Sequence, residues 1–574
     1  MTISTRTHFG LDGRQDKDIS GYRTMLSGEF DYIIVGAGSA GCLLANRLSA
    51  DPAKRVLLLE AGGRDSYPWI HIPVGYLYCI GNPRTDWCYR TVAESGLNGR
   101  ALGYPRGKVL GGSSSINGMI YMRGQAADYD HWASLGNAGW GWRDVLPHFI
   151  EMEDHYDPAR PQHGHGGEWR VEKQRLSWEI LDAFRSAAAQ QGIAPVEDFN
   201  GGDNAGCGYF EVNQKDGLRW NCAKAFLHPI RHRPNLTVLT GAEADKLLLN
   251  DGRAAAIAFM QHGERLQARC RGEIILAAGT IGSPLLLQRS GIGPAPLLAR
   301  HGIEPLRALP GVGANLQDHL QLRLVFKVQG VATLNQRAAS WSGKLAMAWE
   351  YLWKRSGPLS MAPSQLGAFA RSGPDATRPD LEYHVQPLSL DRFGEPLHRF
   401  PAFTASVCHL RPASRGHVAI GGIAPAAPPI IQPNYLSHPE DQRIAAAAIR
   451  LTRRIAAAPA LARYLPEEYR PGLQYQSEEE LITAAGDIGT TIFHPVGTCK
   501  MGSDELAVVD DRLRVHGIAG LRVADASIMP AITSGNTNSP TLMIAAKAAQ
   551  MIAQDNNTPA PIRTPAPPAK ETWT

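Results

Sequence analysis

The sequence predicts an α/β fold of two domains, and three observations carry that reading. Residues 30–63, FDYIIVGAGSAGCLLANRLSADPAKRVLLLEAGG, read as a buried strand, a glycine turn, an amphipathic helix and a second buried strand, which is a Rossmann-like βαβ unit. The middle, residues 311–487, changes texture: proline-rich loops, alternating stretches such as LEYHVQP and helical runs such as DQRIAAAAIRLTRRIAAAP point to a separate, substrate-facing α+β domain. The chain then returns to glycine-rich turns and a short strand, LRVADASI, before a helix for which Ser539 is the expected N-cap and Pro540 the first residue. A chain of 574 residues is also too long for one simple core.

Composition narrows the function classes. The chain is 44% apolar and 20% charged, an ordinary globular mixture, and its net charge of +4 is spread along its length. No basic block interleaved with aromatics occurs, so no nucleic-acid partner is expected. Residues 1–27, an N-terminal extension, lack an apolar signal-peptide run, and no segment reaches transmembrane length; the expected location is cytoplasmic, or peripheral to the inner membrane. The eight cysteines form no CxxC pair and the 19 histidines no HExxH, so reduced thiols and no metal are expected. The tail 557–574, rich in proline and alanine, reads as disordered.

Gly36, Gly38 and Gly41 form GxGxxG between strand and helix. The first permits the tight turn, the second lets the backbone approach a pyrophosphate at the helix amino end, and Glu60 at the end of the second strand can accept from a ribose hydroxyl. This motif alone does not separate FAD from NAD. Two further stretches carry packed glycine-rich loops: PRGKVLGGSSSINGMIYMRG (105–124) and AAGTIGSPLLLQRSGIG (277–293). Near the carboxyl end TTIFHPVGTCKMG sets His494 directly before Pro495, which disfavours the α region for His494 and holds its backbone extended.

Both glycine-rich stretches resemble the two signature patterns of the glucose-methanol-choline (GMC) oxidoreductases, and HPVGTCKMG, LRVADASIMP and SGNTNSP resemble that family's C-terminal motifs. The similarity spans residues 28–556 in family order and is closest to the choline-dehydrogenase-like and aliphatic-alcohol-dehydrogenase branch. It implies a Rossmann-like FAD domain assembled from separated segments (28–158, 222–310 and 488–556) and an α+β substrate domain (159–221 and 311–487) with an antiparallel sheet flanked by helices. It implies FAD contacts at Gly36, Gly38, Ser39, Ala40, Gly41, Glu60, Ala61, Trp87, Arg106, Gly112, Ser113, Asn117, Gly118, Met119, Ile120, Ala244, Ala278, Gly279, Asp525, Ala526, Asn536, Thr537 and Asn538. Some members attach FAD through a histidine where this chain has Ile116, so non-covalent FAD is expected.

The resemblance also implies chemistry: oxidation of a primary alcohol to an aldehyde by hydride transfer to flavin N5. His494 would take the hydroxyl proton, and Asn536 would hydrogen-bond the substrate oxygen. The amino end of the helix following Asn536 would favour negative charge at the flavin. The alternatives are an oxidase using oxygen and a cyanohydrin lyase that keeps FAD as structure; the branch favours a quinone or other acceptor. Ser364, Gln365 and His384 are candidate substrate contacts. The stretch SWSGKLAMAWEYLWKR (340–355), aromatic with basic ends, is a candidate for touching a membrane surface. The alcohol itself and the oligomeric state are not legible.

Overall fold

A computed structural model describes residues 24–391 and 395–556. Most of the N-terminal extension and the whole expected disordered tail lie outside the described residues. The amino-terminal sheet is built on the expected βαβ unit: β1 (Thr24–Val35), helix α1 (Ser39–Leu48) and β2 (Val56–Glu60). Strands β3 (Leu236–Thr240), β4 (Ala242–Asn250), β5 (Arg253–Gln261) and β6 (Glu264–Leu276) complete it, in the order β3-β2-β1-β6-β5-β4. The pairs among β3, β2, β1 and β6 are parallel, with Ile33 beside Leu57 and Ile274, whereas β4, β5 and β6 form antiparallel hairpins.

The strand Leu521–Val523 joins the carboxyl half of β6 in parallel, which brings the far end of the chain back to the nucleotide-binding sheet. Ile33, Ile34, Leu57 and Leu58 are fully buried, each contributing roughly 1.5–3 kcal/mol relative to exposure. Gly41 is required where α1 crosses β1: a Cβ there would fall 1.8 Å from the Gly36 carbonyl oxygen. Its role is therefore close helix–strand packing.

A second sheet comes from the middle of the chain. Strands β7 (Leu320–Lys327), β8 (Leu366–Ala370), β9 (Leu381–Gln386) and β10 (Ala402–His409) pair antiparallel in the order β7-β10-β9-β8, with Gly206–Tyr209 beyond β8 and Glu467–Arg470 on β7. The two-residue period gives this sheet two faces. Leu322, Leu324, Phe326, Tyr383, Val385, Phe403, Ala405 and Val407 point into an apolar core shared with the amphipathic helix Pro439–Ala456. The intervening Gln321, Arg323, Glu382, His384, Gln386, Thr404 and Ser406 are also buried, but on the other face. The first core runs from Phe30 to Ile552 and takes in Trp169 and Val171.

Helix α2 (Gly279–Arg289) follows β6, and the last helix runs Asn538–Asp555. It starts one residue before the expected N-cap, because Thr541 N–H already bonds the Thr537 carbonyl. Ser539 and Pro540 thus lie in the first turn, where proline is tolerated because its nitrogen has no intrahelical partner there.

A buried polar network fixes the segment after residue 120. The Arg123 guanidinium bonds both carboxylate oxygens of Glu153 at 2.6 and 2.7 Å, the Tyr121 hydroxyl donates to the same carboxylate, and His163 bridges Glu153 (3.1 Å) and Asp198 (3.0 Å). Burial works against the charge on His163, but its bonds to Asp198 and Glu153 prevail and raise its pKa to about 9. A pKa raised on folding gives stability that is fully present below the unfolded value near 6.5 and is lost as pH rises through about 9. The thermal midpoint is therefore expected to fall between pH 7 and 9.5, and His163→Gln to be less stable at pH 7 with a flatter profile; scanning calorimetry across that range checks both.

Candidate active site

A cavity of about 780 Å³ runs from the amino end of α1 to His494. Its wall includes every sequence-expected cofactor residue except Gly41, together with Ser364 and His384. Gln365 is the other exception. Successive residues of an extended chain point to opposite sides; Ser364 faces the cavity, whereas the fully buried Gln365 turns its amide back to the Ala362 carbonyl at 3.2 Å.

The nucleotide end is shaped by bare backbone. Gly112 has φ +53°, and a Cβ on it would lie 2.6 Å from Gly38 Cα, so the glycine turn and the 105–124 loop abut at the start of α1. The Gly38 N-cap leaves the first N–H groups of α1 without a side-chain cap, an arrangement suited to a pyrophosphate. Glu60 accepts from the N–H groups of Ala37 (2.9 Å) and Gly62 (2.8 Å). Burial nevertheless pushes its pKa up to about 7, so a ribose diol donating to it would favour the charged form. Asn538 accepts the Ser39 hydroxyl at 2.6 Å, while its buried amide nitrogen has no hydrogen-bond partner among the described residues. The uncapped helix, the glycine cradle, the carboxylate and the unspent amide donor all fit FAD. Trp87 lies on the wall with the Lys108 ammonium 4.1 Å from its ring centroid.

The other end holds His494. Its ring is buried between two partners: Nδ1 lies 3.1 Å from His319 Nδ1, and Nε2 lies 2.9 Å from Asn536 Nδ2. The hydrogen-bond network assigns the tautomers. His319 Nε2 is 3.0 Å from the Leu410 carbonyl, which can only accept, so that nitrogen carries the proton and His319 Nδ1 is bare. His494 Nδ1 must then be the donor between the rings, and His494 Nε2 keeps its lone pair, toward which the Asn536 amide donates. Burial, reinforced by His319, His384 and Arg106, holds the His494 pKa well below the ordinary histidine value. The ring is a neutral acceptor at neutral pH.

Sequence reasoning missed what aims this ring. Asp318 accepts the His494 backbone N–H at 2.8 Å, the Thr491 hydroxyl at 2.7 Å, the Tyr104 hydroxyl at 2.9 Å and the Tyr435 hydroxyl. Phe493 has φ +71°, an outlier for a bulky residue. The Thr491 hydroxyl accepts its N–H at 2.8 Å, and Arg106 binds its carbonyl at 2.7 Å. Arg106, expected only as a cofactor contact, thus also braces the histidine loop. The adjacent acid and histidine in LQDH were the available signal for Asp318 and His319. Tyr76, Gln321 and Gln386 also line this end and carried no motif.

The amino end of the helix Asn538–Asp555 opens here: Thr537, its N-cap, makes no side-chain cap bond, and Asn536, Thr537, Asn538 and Thr541 all lie on the wall. Among the described residues two triads could offer ligands to an ion, His155–His163–Glu211 and His319–Glu382–Cys408. His155 and His163 are already bonded to carboxylates, and His319 to Leu410 and His494.

Comparison with known proteins shows the family. The GMC oxidoreductase N-terminal domain matches residues 30–321 and the C-terminal domain residues 412–545. The chain is 41% identical over 529 residues to an alcohol dehydrogenase [acceptor] of Pseudomonas putida, covering 92% of this chain and 96% of that one. It is 40% identical over 533 residues to the mitochondrial choline dehydrogenase of Homo sapiens, covering 91% and 90%. Among solved structures, pyridoxine 4-oxidase from Mesorbium loti superposes with a TM-score of 0.83 at 33% identity, covering 91% of this chain and 99% of that one. Formate oxidase from Aspergillus oryzae RIB40 gives 0.86 at 26%, covering 94% and 100%. The chain belongs to the GMC oxidoreductase family and is an FAD-dependent oxidoreductase.

Proposed function

We propose that the protein oxidises an uncharged primary alcohol to the aldehyde, with His494 as general base and with electrons passed on to a quinone or similar acceptor. The observation that carries this reading is His494 on the cavity wall with its unprotonated Nε2 accepting at 2.9 Å from Asn536, itself a wall residue. FAD, when bound, supplies the two-electron acceptor for the carbinol hydrogen. His494 Nε2 receives the hydroxyl proton, and its charge then rests on a ring whose Nδ1–H is already held by His319. The Asn536 amide, turned from Nε2 to the substrate oxygen, fixes the alkoxide as it forms. The open helix end beside it stabilises negative charge by up to ~2 kcal/mol in such partly buried settings. Ile116, on the cavity wall, offers no nucleophile for a covalent flavin link.

The relatives do not choose between choline and an uncharged alcohol, but the charges around His494 favour the uncharged one. Gln321, Ser364, His384 and Gln386 line that end, and Glu382, the carboxylate on the same face of the sheet, is fully buried, with His384 Nε2 3.1 Å away. Tyr76 on the wall is in the field of two buried guanidiniums, Arg219 and Arg323. A quaternary ammonium would find no carboxylate on the wall of that end among the described residues, since Asp318 and Glu382 are both buried behind it. An acceptor-dependent role is supported by the 41% identity to the Pseudomonas putida alcohol dehydrogenase [acceptor].

His494→Ala is expected to retain FAD and to slow anaerobic flavin bleaching by alcohol by roughly 10²–10⁴; stopped-flow absorbance measures it, and unchanged bleaching removes His494 as the base. Choline and 3,3-dimethylbutan-1-ol have the same shape and differ in charge, so kcat/KM should favour the uncharged alcohol by at least about tenfold, a difference of ~1.4 kcal/mol; a preference for choline overturns the substrate reading. Asp318→Asn removes one of the two carboxylate oxygens that hold four donors. It should lower the limiting reduction rate by up to ~10² while leaving KM nearly unchanged, and cost about 1–3 kcal/mol in denaturant unfolding.

A further inference from the structure

The helix Trp341–Lys354 is turned the wrong way for an ordinary surface helix. Ser340 caps it, its hydroxyl accepting from Gly343 N–H at 3.0 Å. Trp341, Leu345, Trp349, Leu352 and Trp353 are 81, 65, 69, 69 and 78% exposed. Their spacing of three and four places them on one stripe. The opposite face holds the helix to the protein: Met347 packs on the second core, and the buried Tyr351 donates its hydroxyl to the Gly217 carbonyl at 3.0 Å. A surface helix normally buries its apolar stripe, and an outward patch of this kind marks a docking surface.

The charges around the stripe select its occupant. Arg337, Lys344, Lys354 and Arg355 are exposed, and the helix's acid, Glu350, is half-buried and accepts the Ser356 hydroxyl at 3.2 Å. The Lys344 ammonium lies 5.9 Å from the Trp341 ring centroid, and the Trp349 and Trp353 rings stack at 6.3 Å. Three tryptophans and two leucines bordered by cations match a bilayer interface, where indoles sit at headgroup depth and each basic side chain gains about 1 kcal/mol from anionic lipid. A second copy of this chain would bring the same cations together across a two-fold axis. Among the described residues no helix is long and apolar enough to cross a membrane.

We propose that this helix docks the enzyme on the surface of an anionic lipid bilayer, lying in the interface plane with the stripe buried among the headgroups. The chain leaving the helix reaches the cavity wall at Pro363 and Ser364, so the docked element is tied directly to the substrate end of the site.

The test is vesicle flotation of the FAD-loaded full chain, with 1:1 phosphatidylglycerol–phosphatidylcholine vesicles against pure phosphatidylcholine. The enzyme is expected to float with the anionic vesicles at least about tenfold more than with the neutral ones, and less at 0.5 M salt. The double variant Trp349→Glu/Trp353→Glu is expected to stay at the bottom while keeping its flavin and its rate with a soluble dye. Lys344→Glu/Lys354→Glu, which leaves the stripe intact, should lose the preference for anionic lipid. Failure of the wild-type enzyme to float, or undiminished flotation of the tryptophan variant, overturns the proposal. So does a halved solution mass of that variant by light scattering, which would assign the stripe to self-association.

Discussion

The Asp318 carboxylate is the tie on which the reacting end of the cavity depends. It gathers Tyr104 from the nucleotide-binding part, Tyr435 from the middle of the chain, Thr491 from the short strand Gly489–Thr491 that pairs with β7, and the backbone of His494 itself. An acceptor-only group serving four buried donors leaves none of them unsatisfied, and each unsatisfied one would cost about 1–3 kcal/mol. The tie also makes the Phe493 backbone tenable. A residue at φ +71° would relax if its N–H and carbonyl were free, and here both are held, by Thr491 and Arg106. The histidine is aimed by a strained neighbour pinned from two sides, more than by the proline that follows it.

The same region shows how burial sets protonation. A lone buried histidine would be free to carry its proton on either nitrogen. The fixed Leu410 carbonyl breaks that symmetry at His319, and the choice passes through one hydrogen bond to His494. Burial then keeps the imidazole neutral, so its Nε2 is an acceptor before any substrate arrives. The second sheet makes this possible. Its apolar face secures it to helix Pro439–Ala456, leaving the other face free to carry polar groups at no cost to the core.

Legibility in the sequence follows from how local each feature is. The βαβ unit was readable because strand, turn, helix and strand are contiguous and each has its own period. His494 and Asn536 were readable through motifs, although nothing local says that they meet. Gln321 and Gln386 were not read, because they alternate with core residues on their strands and alternation alone does not tell which face looks at the site; Asp318 and His319 were not read because they act from behind the wall, through His494. Gln365 shows the hazard directly: it was paired with Ser364 as a candidate, yet neighbours in an extended segment cannot face the same way. The start of the last helix was displaced for a related reason, since Ser539 and Pro540 look like a cap pair wherever they stand in a first turn.

The tryptophan helix was ambiguous in sequence because a stripe at helical spacing reads identically whether it faces a core or solvent. Only the burial of Met347 and Tyr351 on the opposite side decides it. The energetic consequence is large. Five big apolar side chains left in water forgo roughly 1.5–3 kcal/mol each, a sum comparable with the whole net stability of a typical domain, ~5–15 kcal/mol. Turning the helix about its axis could not recover that amount, because the contacts of Met347 and Tyr351 would be lost and the flanking cations would face the second core. The stripe can therefore be buried only from outside, and on the proposal made above the cations around it select a negative surface.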